Sequence, residues 1–394
     1  MPVAPGVGIS HHRNPKKAAR EAAEQAMRGC GGAPDFVFLW ASVGYPQEVV
    51  VQEVRAVCRA PVCGCSGEGV IAGPEADETN FSVAVLALSS KDLRVTHGLT
   101  QGLKADPAAV GRSIGEALAQ DFPDDAIALF IFPDGMTVNF DKMRAGLEGA
   151  LPVGRSLPLL GGTASDNLKF ERTYQYCDDE VTSDGVAWAL LSGPSRAAWT
   201  VNHGCIPVGV EHKVTRADGN VILELDGRPA AEVVLDYVSK DEMDDWMKVV
   251  MTLSLALKAP ADIAEAYDRY LIRTLVGGLD QKVGSVTIAD EVATGQSVWI
   301  AQRDFEKMHA GAQRSCQELL DKLDGARPEL VFHFDCAGRG KSFLKEQEKG
   351  ELLRSMQGRL GTAPWVGFYC YGEISPVSGK NAFHNLTMVL AALY

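Results

Sequence analysis

The chain has 394 residues, more than one ordinary domain holds, so two domains are the expectation. Its 46% hydrophobic and 23% charged residues are the composition of a globular protein. A net charge of −13 argues against nucleic acid or an anionic membrane as a main partner.

Residues 1–14 are polar and interrupted by Pro2, Pro5 and Gly6, so no secretion-signal core is expected. No apolar run reaches the roughly 18 residues of a spanning helix. Nine cysteines, most inside apolar segments, fit reduced thiols and a cytoplasmic location rather than a disulfide framework.

In chain order, 15–29 reads as an alanine-rich helix ended by Gly29, Gly31 and Gly32, 35–42 as a buried strand, and 47–59 as a helix with Val50, Val51, Val54 and Val57 on one face. Residues 61–71 read as one strand entering a glycine turn, and 80–89 as a further strand. The pattern then recurs: helix 107–120, strand 125–132, helix 141–151, strand and glycine turn 158–166, strand 184–192. Residues 200–209 are expected to be a connection, followed by 213–225, a hairpin at Asp226-Gly227 and a helix from Pro229 to about Ser239. An amphipathic segment spans 261–274, and two or three short strands broken at Gly284 and Gly295 lie in 277–303. Helix 304–324, strand 329–335, helix 345–360 and a closing strand pair within 364–394 complete the chain.

Three stretches share one grammar: apolar strand, helix, strand into a glycine turn, further strand. The distances from Trp40 to Gly64, Pro133 to Gly161 and Asp335 to Gly367 are 24, 28 and 32 residues, as expected of one unit reused with drifting loops. The expected fold is α/β, with mixed sheets flanked by helices and two lobes built from repeated strand–helix–strand–turn–strand units, joined near residues 193–215.

Each glycine turn sets small polar residues and a carboxylate at a strand end, where α/β sheets carry ligands. Ser66 and Glu68 stand in the first, Thr163, Ser165 and Asp166 in the second, and Glu373 in the third. The alternative role is turn capping. Gly340-Lys341-Ser342 looks like the end of a phosphate-binding loop, but the position five before Gly340 is Asp335, where that motif needs glycine. Arg339 is therefore read as pairing with a carboxylate or gripping an anionic ligand. The Cys63-x-Cys65 spacing is too short for zinc. His203, in an expected connection, His309, His333 and His384 have structural readings, and no haem-attachment or serine-hydrolase motif occurs. A nucleophilic Cys65 or Cys336 would need a thiolate beside a base.

These motifs carry a family resemblance. PVCGCSGEGVI, IFPDG at 131–135 and LLGGTASD resemble the FIST N-terminal domain, assigned to 1–200. NVILELDGRPA, VWIAQRD at 298–304, FDCAGRG and GFYCYGEISP with FHNLT resemble the FIST C-terminal domain, assigned to 201–394. The resemblance implies a cytoplasmic sensor of small ligands such as amino acids, signalling to a separate histidine kinase or cyclic-di-GMP enzyme. It carries no catalytic set. One branch of the family resembles nitric-oxide-sensing haem proteins; were haem the cofactor here, His203 and His384 are the candidate axial ligands. The resulting expectation is a small ligand between or at the edges of the lobes, near Ser66, Glu68, Thr163, Ser165, Asp166, Arg339 and Glu373. A Cys-dependent enzyme is the further alternative. Apolar edges such as the terminal strand make a homodimer conceivable.

Overall fold

The computed structural model describes residues 3–238, 246–265, 267–280, 284–289 and 291–394. The helices begin where the sequence supplies caps. Asn14, Asp106, Asn139 and Asp304 accept the backbone N–H of Lys17, Ala109, Lys142 and Lys307, and Pro15 and Pro107 fill first-turn positions that need no donor. The expected end of the Pro229 helix at Ser239 lies outside the described residues; the described helix is Ala230–Leu235.

Three six-stranded sheets form the body of the molecule. The first runs Ala4–Ser10, Val83–Ser89, Phe36–Ser42, Val62–Gly67, Gln175–Cys177, Glu180–Thr182. The second runs Arg94–Gln101, Gly185–Ser192, Ala126–Pro133, Leu159–Gly162, Glu373–Val377, Lys380–His384. The third runs Ala197–His203, Thr387–Leu393, Leu330–Cys336, Trp365–Cys370, Gly69–Ala72, Glu75–Asp77. The third and fourth strands of each sheet are parallel and joined through a helix, and their neighbours are antiparallel. The fold is thus mixed α/β, and the repeat read from the sequence is present as three copies of one sheet.

The last two strands of every sheet are a hairpin borrowed from another repeat. Hairpin 69–77 leaves the first sheet for the third, 175–182 leaves the second for the first, and 373–384 leaves the third for the second. This cyclic exchange locks the three sheets together and carries strands across residue 200. It also splits segments expected to be single: 61–71 is two strands in two sheets, and the closing pair is four strands in two sheets. His384 accordingly ends a borrowed hairpin rather than lying in the final strand, and His203 ends an edge strand rather than sitting in a loop. Residues 4–10, to which the sequence pattern assigns no element, form an edge strand.

The inner faces of the sheets meet in one apolar core. Phe38, Phe130 and Phe332, one from each central strand, form a ring of mutual contacts with centroids 5.6, 4.5 and 5.7 Å apart. Trp40, Phe132 and Phe334 form the next layer. Helices 15–30 and 47–58, 107–119 and 140–150, and 305–323 and 346–360 cover the outer faces of the first, second and third sheets, each with its own apolar cluster. The described residues of 205–303 form a separate seven-stranded sheet inserted between strand Ala197–His203 and helix Phe305–Leu323; strand Cys205–Asp218, first in the order, also pairs with Val221–Leu225, the last but one, and so closes the sheet on itself. The Asp226-Gly227 hairpin is present, with φ of 52° and 76°. The amphipathic 261–274 segment is a turn followed by strand Tyr270–Asp280 within this sheet.

Candidate functional site

The three parallel strands end together, so the three glycine turns, far apart in sequence, form one polar cluster at the end of the aromatic core. Ser165 N–H donates to Ser66 O (3.1 Å), Glu68 N–H to Tyr369 O (2.9 Å) and Thr163 N–H to Gly372 O (2.8 Å), which stitches the turns of all three repeats. All seven predicted ligand residues lie here or on the adjoining 337–341 loop, and all are buried, at 1% exposure or less.

Four of the seven spend their polar groups within the protein. Ser66 Oγ donates to Ser165 O (2.7 Å) and accepts Tyr174 N–H (3.0 Å), and Ser165 Oγ donates to Tyr369 O (2.9 Å). The Asp166 carboxylate accepts N–H groups of Phe170, Glu171 and Arg172 at 2.7–3.0 Å and the Tyr371 hydroxyl. It thereby folds the 167–172 loop, in which Asn167, Leu168 and Phe170 hold left-handed φ of 60°, 55° and 55°. Glu373 accepts Thr387 N–H (3.1 Å) and Oγ–H (2.6 Å) and the Cys370 thiol (3.3 Å); burial still pushes its carboxyl up to about 8.

The other three keep buried polar atoms without hydrogen bonds. Glu68 Oε1 is held by the Lys341 ammonium at 2.8 Å, and Oε2 has no well-aligned hydrogen bond among the described residues. Burial pushes the Glu68 carboxyl up to about 7 against the opposing pull of Lys341. Thr163 Oγ1 has no hydrogen-bond partner among the described residues. Arg339 Nε donates to Asp335 Oδ1 (2.6 Å), but its Nη1 and Nη2 meet no acceptor among the described residues. Gly204 faces Nη1 so closely that a Cβ there would stand 2.9 Å from it. Buried polar groups are nearly always paired, which sets these atoms apart within the cluster.

Asp335, a misfit for a phosphate loop, anchors this arrangement. His333 Nδ1 accepts Trp365 Nε1–H (3.2 Å), so Nε2 carries the proton given to Asp335 Oδ2 (3.2 Å). Burial raises the Asp335 carboxyl, but Arg339 and His333 outweigh it and hold it below the usual range. Glu78 was not singled out from sequence. It accepts Lys341 N–H (2.8 Å) and pairs with Lys349 Nζ (2.8 Å), while Lys341 Nζ donates to Glu78 O (2.8 Å). The Lys341 ammonium is therefore already neutralised, and the long helix starts only at Glu346. Gly340-Lys341-Ser342 is a strap held by Glu68 and Glu78 rather than a phosphate cradle.

The remaining candidates are also engaged. His203 Nδ1 accepts Cys205 N–H (3.2 Å) and its Nε2 bonds Tyr267 O (2.8 Å). His384 Nδ1 bonds the Tyr267 hydroxyl, and its Nε2 bonds Ser375 Oγ (2.9 Å) and O (3.0 Å). Burial pushes the two imidazoles down to about 4 and about 3. An axial bond to haem would have to displace one of these partners. Burial also pushes the Cys65 and Cys336 thiols well above their ordinary range, which opposes a resting thiolate. All nine cysteines are free. Two surface hollows, of about 340 Å³ beside Trp199, Lys322 and Tyr394 and about 420 Å³ beside Arg112 and Gly146, lie away from the polar cluster.

Three interlocked α/β sheets thus bring their strand ends together over buried charges, Glu68 ion-paired with Lys341 and Arg339 with Asp335. The FIST N domain matches residues 35–228 and the FIST C domain residues 230–376, and the chain belongs to the FIST family. FIST domains are sensory domains that bind small ligands. An uncharacterized protein of Mycobacterium tuberculosis is 28% identical over 98% of both chains. An uncharacterized protein of Methanocaldococcus jannaschii is 24% identical over 83% of this chain and 64% of its own. Among solved structures, a chorismatase (TM-score 0.34, covering 99% and 98% of the two chains) and a cyanuric acid hydrolase from A. caulinodans (0.35, covering 100% and 99%) are each 10% identical to it. No described helix is long and apolar enough to cross a membrane.

Proposed function

We propose that this protein is a sensor whose ligand is a small amphoteric molecule of the amino-acid class, bound at the polar end of the three central strands. The observation that carries this reading is the set of buried polar atoms left without hydrogen bonds on two ion-paired residues, Arg339 and Glu68, and on Thr163. Arg339 presents two buried, unbonded Nη groups in the planar fork that suits a carboxylate. Glu68 presents a buried carboxylate whose charged partner is the Lys341 ammonium, a place that a ligand ammonium would share or take over. Thr163 adds a free hydroxyl. Ser66, Ser165, Asp166 and Glu373 shape the site by fixing the turns around it.

The site is closed, so ligand entry requires the 167–172 loop or the 337–341 strap to move. The loop holds three left-handed residues, and its Asn167 Nδ2 donates to Glu68 O (3.0 Å), which ties its position to the site. Ligand-dependent displacement of this loop is the signal passed to a separate partner, for which a histidine kinase or a cyclic-di-GMP enzyme in the cytoplasm is the proposed class. A thermal-shift screen of the standard amino acids against the purified chain tests the reading. At least one amino acid should raise the melting temperature, and the rise should vanish in Glu68→Gln. A flat screen, or a shift indifferent to Glu68→Gln, refutes it.

A further inference from the structure

A second cluster lies on hairpin 175–182, the one borrowed by the first sheet, away from the polar turns. Strands Gln175–Cys177 and Glu180–Thr182 are joined by Asp178 and Asp179, with Asp178 at φ 53°. His97 reaches this turn from edge strand Arg94–Gln101 of the second sheet. One ligand atom each from His97, Cys177 and Asp178 lie within 4.8 Å of one another.

We infer that His97, Cys177 and Asp178 form a three-ligand site for a divalent cation of the zinc class. The donor set is one imidazole nitrogen, one thiolate sulfur and one carboxylate oxygen, the borderline mixture that zinc takes and hard ions such as magnesium do not. Asp178 is already aimed: its Oδ1 accepts Val62 N–H (3.2 Å), leaving Oδ2 toward His97 Nε2 at 3.1 Å. Among the described residues the Cys177 sulfur and His97 Nδ1 have no hydrogen bond, so the imidazole proton can move to Nδ1 without breaking a protein contact; burial, Asp178 and Glu180 raise the Cys177 thiol, so its proton is the one the cation itself must displace. The other acids of the turn are occupied elsewhere, Asp179 by Arg55 and Glu180 by Gln101. The Asp178 side chain is 41% exposed and that of His97 20%, which leaves a fourth position open to water. The ligands come from the borrowed hairpin and from the second sheet's edge strand. A bound ion would therefore pin the exchanged hairpin where it crosses between sheets.

The test uses the full chain stripped with chelator and titrated with cobalt(II), then zinc. The expected result is a thiolate-to-cobalt charge-transfer band saturating at one ion per chain and bleached by one equivalent of zinc. The band should be lost in Cys177→Ser and in His97→Gln, weakened at least tenfold in affinity in Asp178→Asn, and retained in Cys316→Ser. Zinc should also raise the melting temperature of the wild-type chain but not of Cys177→Ser. Circular dichroism confirms that each variant is folded; if His97→Gln does not fold, the near-isosteric Cys177→Ser decides alone. A chain without a stoichiometric band, or a band that survives Cys177→Ser, overturns the assignment.

Discussion

Lys341 Nζ lies 2.8 Å from Oε1 of Glu68, joining the end of the first parallel strand to the strap that follows the last central strand. Glu68 is fully buried, and its carboxyl is raised from an ordinary 4.5 to about 7 by burial, with Lys341 only partly offsetting this. A carboxyl raised by folding binds its proton more tightly in the folded state. Its contribution to stability is therefore complete below pH 4.5 and is lost as pH rises through about 7. Glu68→Gln should flatten the fall in unfolding free energy across this window by about 3 kcal/mol in urea titrations at several pH values. An unchanged slope would show that Glu68 is ionised in the folded protein throughout.

The three repeats predict one shared sensitivity. Gly64, Gly161 and Gly367 stand opposite Leu39, Ile131 and His333 in the parallel ladders, and a Cβ at any of them would overlap the facing carbonyl oxygen. Each glycine-to-alanine change should cost about 2 kcal/mol or more in chemical denaturation. Gly358→Ala, in a helix with open space around it, should instead stabilise by about 1 kcal/mol. A harmless Gly64→Ala would contradict the packing described.

Thr163 separates a binding role from a structural one. Its buried hydroxyl has no hydrogen-bond partner among the described residues, so Thr163→Val removes a desolvated polar group at nearly constant shape. Stability should be unchanged or higher by about 1 kcal/mol, while the amino-acid thermal shift shrinks. Loss of stability with the shift retained would assign Thr163 to the scaffold.

Asp166 should behave in the opposite way. Three N–H groups and the Tyr371 hydroxyl converge on it. Asp166→Ala leaves those donors unsatisfied and should cost about 3 kcal/mol. Hydrogen exchange should accelerate at the amides of Phe170, Glu171 and Arg172 before the rest of the chain. Protection retained there would mean that the loop is held by something else.

Much of this architecture was legible in the sequence because it is written locally. Apolar runs, helical spacing and glycine turns located the repeated unit, and the recurring polar residues after each glycine marked the strand ends that do converge. The hairpin exchange was not legible. Gly69–Ala72 and Glu75–Asp77 are short segments whose partners come from another repeat, and nothing in their own pattern names that partner. Nor could the sequence separate Ser66 and Ser165, whose hydroxyls bind backbone, from Thr163, whose hydroxyl does not, because that difference is set by neighbours on other repeats. Glu78 was missed for the same reason: its cations, Lys341 and Lys349, lie at the other end of the chain. The imitation of a phosphate loop at Gly340-Lys341-Ser342 was the available signal for Lys341.

Calorimetric titration of the amino acid that gives the largest thermal shift, into wild-type protein and Arg339→Lys, bears most directly on the proposed site. Lysine keeps a cation for Asp335, so the buried partner is not stranded, but it removes the planar fork that would hold a carboxylate. The account predicts a folded variant with affinity lowered at least tenfold, about 1.4 kcal/mol. Undiminished affinity in folded Arg339→Lys would contradict it and move the ligand away from the polar cluster.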